Sequence, residues 1–116
     1  MPETSTRRHK RHNLIVYLRV YDRDTNALLG YLVDITQQGL MLMSEQPLEA
    51  NRLYRLRVDK GEVYGPRRYL DLDAQSRWID RDVNPKLHNT GFSLVDPSPQ
   101  ALGTIEGLIL DLSFSD

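Results

Sequence analysis

From Leu70 to Trp78 the chain alternates strictly: Leu70, Leu72, Ala74, Ser76 and Trp78 on one side, Asp71, Asp73, Gln75 and Arg77 on the other. A period of two belongs to a strand with one dry and one wet face, and it excludes a helix, whose faces recur every 3.6 residues. The same period sets Leu14, Val16, Leu18 and Val20 against Ile15, Tyr17, Arg19 and Tyr21, and Tyr54, Leu56 and Val58 against Arg55 and Arg57. Shorter apolar runs at Leu28–Ile35, Leu40–Met43 and Thr90–Val95 complete six predicted strands. The links between them carry turn formers: Asp22 to Asn26, Asp34 to Gly39, Gly61 with Gly65-Pro66, and Asp80 to Asn89 around Asn84-Pro85. Gly39 is expected to supply a positive φ. Six strands with short links favour a small antiparallel barrel, because closure removes exposed sheet edges.

After Val95 the period changes. Asp96-Pro-Ser-Pro99 is a helix start, with Asp96 or Ser98 as cap and a proline in the first turn; Leu102, Ile105, Leu108, Ile109 and Leu112 then recur at spacings of three and four. Gly103 and Gly107 each cost such a helix about 1 kcal/mol relative to alanine, so they mark either a close approach to the barrel or a marginal helix. The expected fold is mainly β, a six-stranded antiparallel barrel with a C-terminal α-helix over residues 14–116, preceded by a flexible basic arm over residues 1–13.

The charge is unevenly divided. Residues 1–12 carry Arg7, Arg8, Lys10 and Arg11 against Glu3, a net +3, whereas residues 13–116 hold 11 basic and 15 acidic side chains, a net −4. An overall balance of −1 argues against a general nucleic-acid binder. The arm nevertheless concentrates positive charge ahead of the first strand, where it cannot form a core and repels itself. The absence of cysteine excludes disulfides, thiolate metal sites and a cysteine nucleophile, and fits a reducing, cytoplasmic setting. No apolar run is long enough to span a membrane, and residues 1–12 lack the apolar segment of a secretory signal. His9, His12 and His88 are too few and too scattered for a metal site, and no nucleophile–base or phosphate-loop motif occurs, so neither metal, cofactor nor catalysis is expected.

Two motifs remain: Arg7-Arg-His-Lys-Arg11 before the first strand and Asp34-Ile-Thr-Gln-Gln-Gly39 between the second and third. Together they resemble the signature of the PilZ domain family, an RxxxR in an N-terminal arm followed by (D/N)xSxxG on a barrel surface. Arg7 and Arg11 fill the first; Asp34, Thr36 and Gly39 fill the second. The strand order and terminal helix are similar to that family's over essentially the whole chain. Thr36 departs from the usual serine, keeping the hydroxyl but adding a methyl.

The resemblance implies binding of cyclic di-GMP, a bacterial second messenger. Arg7 and Arg11 would grip phosphate or guanine through their planar donor forks, with the neighbouring Arg8 recruited beside them. Asp34 would accept from guanine N–H donors, Thr36 would offer a hydroxyl, and Gly39 would leave room. Trp78 is a ligand contact in some relatives, whereas its alternation phase points to the core. Ligand would fold the arm over the barrel rim, and an unidentified effector protein would read the new surface. Two other readings stay open: a small barrel that binds nucleic acid or another polyanion through the arm, and a degenerate barrel serving only as a protein interaction module.

Overall fold

The computed structural model describes residues 12–61 and 68–112. Six strands, β1 (His12–Asp22), β2 (Leu28–Ile35), β3 (Gly39–Ser44), β4 (Leu53–Asp59), β5 (Tyr69–Arg81) and β6 (His88–Leu94), are followed by helix α1 (Pro99–Leu112). All neighbouring strands are antiparallel and the sheet closes in the order β1-β2-β3-β6-β5-β4. The expected barrel and helix are both present. Two meanders, β1-β2-β3 and β4-β5-β6, therefore face each other and meet at two seams, β3 with β6 and β1 with β4.

The dry faces converge on one core. Val20, Leu32, Ile35, Leu42, Leu56 and Val58 are fully buried, one or two from each of four strands, and Phe92 and Tyr54 meet edge to face at 5.7 Å. Each such aliphatic side chain contributes about 1.5–3 kcal/mol on burial. Helix α1 adds Ile105 and Leu108, with Leu102 and Ile109 partly buried beside them. Its start is set by Ser98, whose Oγ accepts from Ala101 N at 3.0 Å while Pro99 takes the first helical position. Asp96 is instead a turn residue at φ 45°. A Cβ at Gly103 or Gly107 would meet nothing within 4 Å, so these glycines reflect a weak helix and not a close approach to the barrel.

The β1–β2 pairing shifts register twice, and one further bulge each in β2 and β5 interrupts the alternation near the β3–β6 seam. In β2 the step from Leu32 to Asp34 spans one residue of β3, Leu42 to Met41, and in β5 the step from Ser76 to Trp78 spans one residue of β6, Phe92 to Gly91. An extra residue reverses which face every later side chain takes. Val33, Asp34 and Ile35 are accordingly buried in succession, and Arg77 and Trp78 are exposed in succession. The core position expected for Trp78 is thereby corrected.

The wet faces of β4 and β5 carry opposite charges in register. Arg57 grips Asp71 with Nε and Nη2 at 2.9 and 3.1 Å, Arg68 grips Asp59 at the same two distances, and Arg23 reaches Asp73. Hydrogen bonding from Arg57 holds Asp71 below the ordinary carboxylate range, and Arg68 together with the Gly61 N–H does so for Asp59, against the opposing effect of partial burial. A carboxylate depressed in this way stabilises the fold fully above its unfolded value, about 3.9, and loses that contribution as pH falls through the lower folded value. The melting temperature is thus expected to drop as pH goes below about 4, and less steeply in Asp71→Asn. An unchanged acid limb in that variant would remove the pair from the account.

Candidate functional site

Positioning begins with the β2–β3 hairpin, whose connecting residues Gln37 and Gln38 both keep negative φ. Two-residue hairpins usually need positive φ to match the strand twist, so this one needs another tie. Thr36 provides it. Its Oγ1 accepts from Gln38 N and Gly39 N, each at 3.1 Å, and donates to Gly39 O at 3.3 Å, while Thr36 N donates to Gly39 O at 2.8 Å. One donor and two acceptors exhaust a hydroxyl's usual capacity, so the turn itself uses the hydroxyl that the family resemblance assigned to a ligand. Leu94 N donates to Gln38 O at 2.9 Å and pins the hairpin tip to β6.

Gly39 does not have the expected positive φ; among the described glycines only Gly61 does. Glycine is needed for space, because a Cβ there would lie 2.3 Å from Phe92 O in the paired strand. The β2 bulge sets Asp34 opposite Met41, on the outer face shared with Gly91 and Trp78, where it is nonetheless only 4% exposed beside this turn. On the other side, the β5 bulge lays the Trp78 indole across Gly91, where a Cβ would fall 2.2 Å from the ring. The indole is held there yet 42% exposed. Arg77 stands next to it, its Nε donating to Ser93 Oγ at 3.1 Å.

These elements enclose a groove of about 250 Å³ with Asp34, Thr36, Gln38, Gly39, Arg77 and Trp78 along its wall. A carboxylate acceptor, a guanidinium and an open aromatic face lie around one opening, a set suited to a flat heterocycle carrying N–H donors and a nearby anionic group. Asp34, Thr36, Gly39 and Trp78, far apart in sequence, are thus neighbours. Arg7, Arg8 and Arg11, and the expected disorder of the arm, lie outside the described residues. The first described residues bear on them all the same: His12 pairs with Ile35 and Asn13 with Asp34, so the chain enters β1 directly beside the groove. Arg77, Gln38, Gly91 and Ser93 were not anticipated. A glycine opposite a tryptophan was the available signal, but it becomes one only when β5 and β6 are paired with the bulge in place.

A closed six-stranded barrel capped by a C-terminal helix, with a polar groove beside the β2–β3 hairpin, defines a small β-barrel binding domain. The chain belongs to the PilZ domain family, whose family model matches residues 5–111. Among solved structures, the PilZ domain with c-di-GMP of YcgR from Escherichia coli is similar with a TM-score of 0.70 at 20% identity, covering 91% of this chain and 90% of that one. The Bacillus subtilis inhibitor of motility, MotI/DgrA, matches with a TM-score of 0.70 at 13% identity over 90% of this chain and 50% of that one. The Borreliella burgdorferi PlzA protein in complex with c-di-GMP matches with a TM-score of 0.59 at 14% identity over 92% and 52%. At these identities the likeness is one of fold, and this chain spans about half the length of the latter two. A comparison with curated protein sequences found no match. Among the described residues, no helix is long and apolar enough to cross a membrane.

Proposed function

We propose that the chain is a cyclic di-GMP receptor in which the barrel groove and the N-terminal arm, residues 1–13, bind the ligand from opposite sides. The observation that carries this reading is the meeting of Asp34, Arg77 and the Trp78 face in one groove next to the start of β1. Solved PilZ structures with c-di-GMP share its fold. Asp34 accepts from the Watson–Crick edge of one guanine, Trp78 stacks on a base, Thr36 and Gly39 shape the turn that leaves room for it, and Arg77 supplies positive charge. A groove of about 250 Å³ is smaller than the pockets that enclose drug-sized ligands, roughly 300–1,000 Å³, so a dinucleotide must project from it. The arm covers that projecting part. Arg11 adjoins His12, and Arg7 lies within roughly 17 Å of it even when fully extended, so Arg7, Arg8 and Arg11 all reach the phosphates. Closure of the arm then creates the surface read by an effector protein, and the role is recognition, not chemistry.

Calorimetry with cyclic di-GMP tests this. Low-micromolar or tighter binding is expected, weakened about tenfold or more by each of Arg7→Ala, Arg11→Ala and Asp34→Ala, since each removes a charge-assisted hydrogen bond. Loss with the arginines but not with Asp34 would mean general anion binding, and no heat at all would leave an interaction module without a nucleotide. Unchanged NMR order parameters for residues 5–13 at saturation would end the proposal of arm closure.

A further inference from the structure

The seam between β1 and β4 is laddered over three pairs only, Val20 with Val58, Tyr21 with Arg57 and Asp22 with Leu56. Continued in the same register it would set Arg19 against Asp59, Leu18 against Lys60 and Tyr17 against Gly61. No such pairs form, and these same residues line a groove of about 380 Å³ together with Tyr31 and Arg68. Gly61, at φ 76°, turns the chain at the end of β4. Within the closed barrel the β1–β4 ladder therefore stops here, and among the described residues Arg19 and Asp59 face each other across the seam without main-chain pairing. An unpaired edge is a template for another extended chain.

The charge of this groove departs from that of the barrel around it. Arg19, Lys60 and Arg68 face one acid, Asp59, whose two oxygens are already taken by Arg68 and by Gly61 N at 2.9 Å. Among the described residues Lys60 has no ion-pair contact, and Arg19 is attracted to Asp59 without touching it. Lys60 is the more telling, because it is only 5% exposed. Its apolar stem packs into the groove wall, so the ammonium is held in place to meet an anion seated in the groove. Tyr17 and Tyr31 flank the same groove, and tyrosine with arginine is the composition that dominates protein-binding surfaces.

We propose that the unpaired end of the β1–β4 seam is a docking site for an extended acidic segment of a partner protein, which pairs its backbone with the unpaired edges and its carboxylates with Lys60 and Arg19. Residues 13–116 carry a net −4 overall, so a short acidic strand seated in a local excess of cations is favoured over a long polyanion that would run across the acidic remainder. The site lies apart from the Asp34 groove and needs no nucleotide, so it stands or falls separately from the receptor reading.

The test is NMR titration of the full chain with an octapeptide of alternating valine and glutamate, beside its valine–lysine counterpart and an eight-residue oligothymidylate. Saturable amide shifts at residues 17–19, 31 and 59–61 are expected with the glutamate peptide alone, with affinity about tenfold lower in Lys60→Met and in Arg19→Gln. Lys60→Met keeps the packed apolar stem and removes only the charge; Arg19 is exposed, so its variant keeps the test intact should the other misfold. Absence of saturation, affinity in both variants unchanged from that of the unaltered chain, tighter binding of the oligonucleotide, or shifts centred on Asp34 or on residues 98–104, where Lys60 also borders a cavity, would each overturn the assignment.

Discussion

Gly39→Ala is expected to cost about 2–3 kcal/mol of folding free energy, which for a domain of this size lowers the melting temperature by about 10 °C or more. The added methyl would lie 2.3 Å from Phe92 O and 3.4 Å from its carbonyl carbon. Those are main-chain atoms of β6, paired to β3 on both sides of the contact, so no rotamer change can move them aside. Relief requires the β3–β6 seam to spread, loosening the Leu94 N to Gln38 O bond and the turn that holds Asp34 in place. Gly103→Ala is the internal control: with nothing within 4 Å it is expected to stabilise α1 by about 0.5–1 kcal/mol. Thermal unfolding of the two variants side by side decides the matter. A neutral Gly39→Ala would show that the turn's glycine serves neither space nor φ.

The second large effect falls on ligand affinity with little loss of fold. Trp78→Ala is expected to weaken cyclic di-GMP by about 1–3 kcal/mol, the range measured for single base–aromatic stacks, which is roughly five- to 150-fold. Gly91→Ala should reproduce much of that loss without touching the indole, because its methyl occupies the surface on which the ring rests. Here the obstacle is a half-exposed side chain and not backbone, so the ring swings out and the barrel survives. Since the chain has one tryptophan, its fluorescence reports the move directly: emission shifts to the red in Gly91→Ala. An unshifted spectrum combined with full affinity would show that the ring is not held by Gly91 and does not carry the ligand.

The residues that alternate strictly made six strands and their dry faces legible, and Leu28–Ile35 matches β2 at both ends. What alternation conceals is a bulge, because the extra residue is defined by the partner strand and not by its own neighbours. Trp78 shows the consequence: in phase with Leu70, Leu72 and Ala74 by counting, it emerges on the opposite face after Arg77. Arg77 was overlooked for the same reason. Thr36 was visible as a hydroxyl but not as one already committed to Gln38 and Gly39, since that depends on the φ values of the turn. The need for glycine at position 39 was also visible, whereas its cause required β6 to be in place. The clustering of Asp34 with Trp78 rests on the pairing β2-β3-β6-β5, which no local pattern contains.

The two facing meanders also set the order in which the chain can fold. Pairs within β1-β2-β3 and within β4-β5-β6 join strands adjacent in sequence, and their loops are inexpensive to close. Val20 with Val58 and Leu40 with Phe92 join residues about 40 and 50 positions apart, so both seams form only after each half has taken shape. Closure is then the slow step, and φ-values near zero are expected at Val20 and Val58, with higher values inside each hairpin. The short β1–β4 ladder, last to form, should also be the first part of the native barrel to exchange its amide hydrogens.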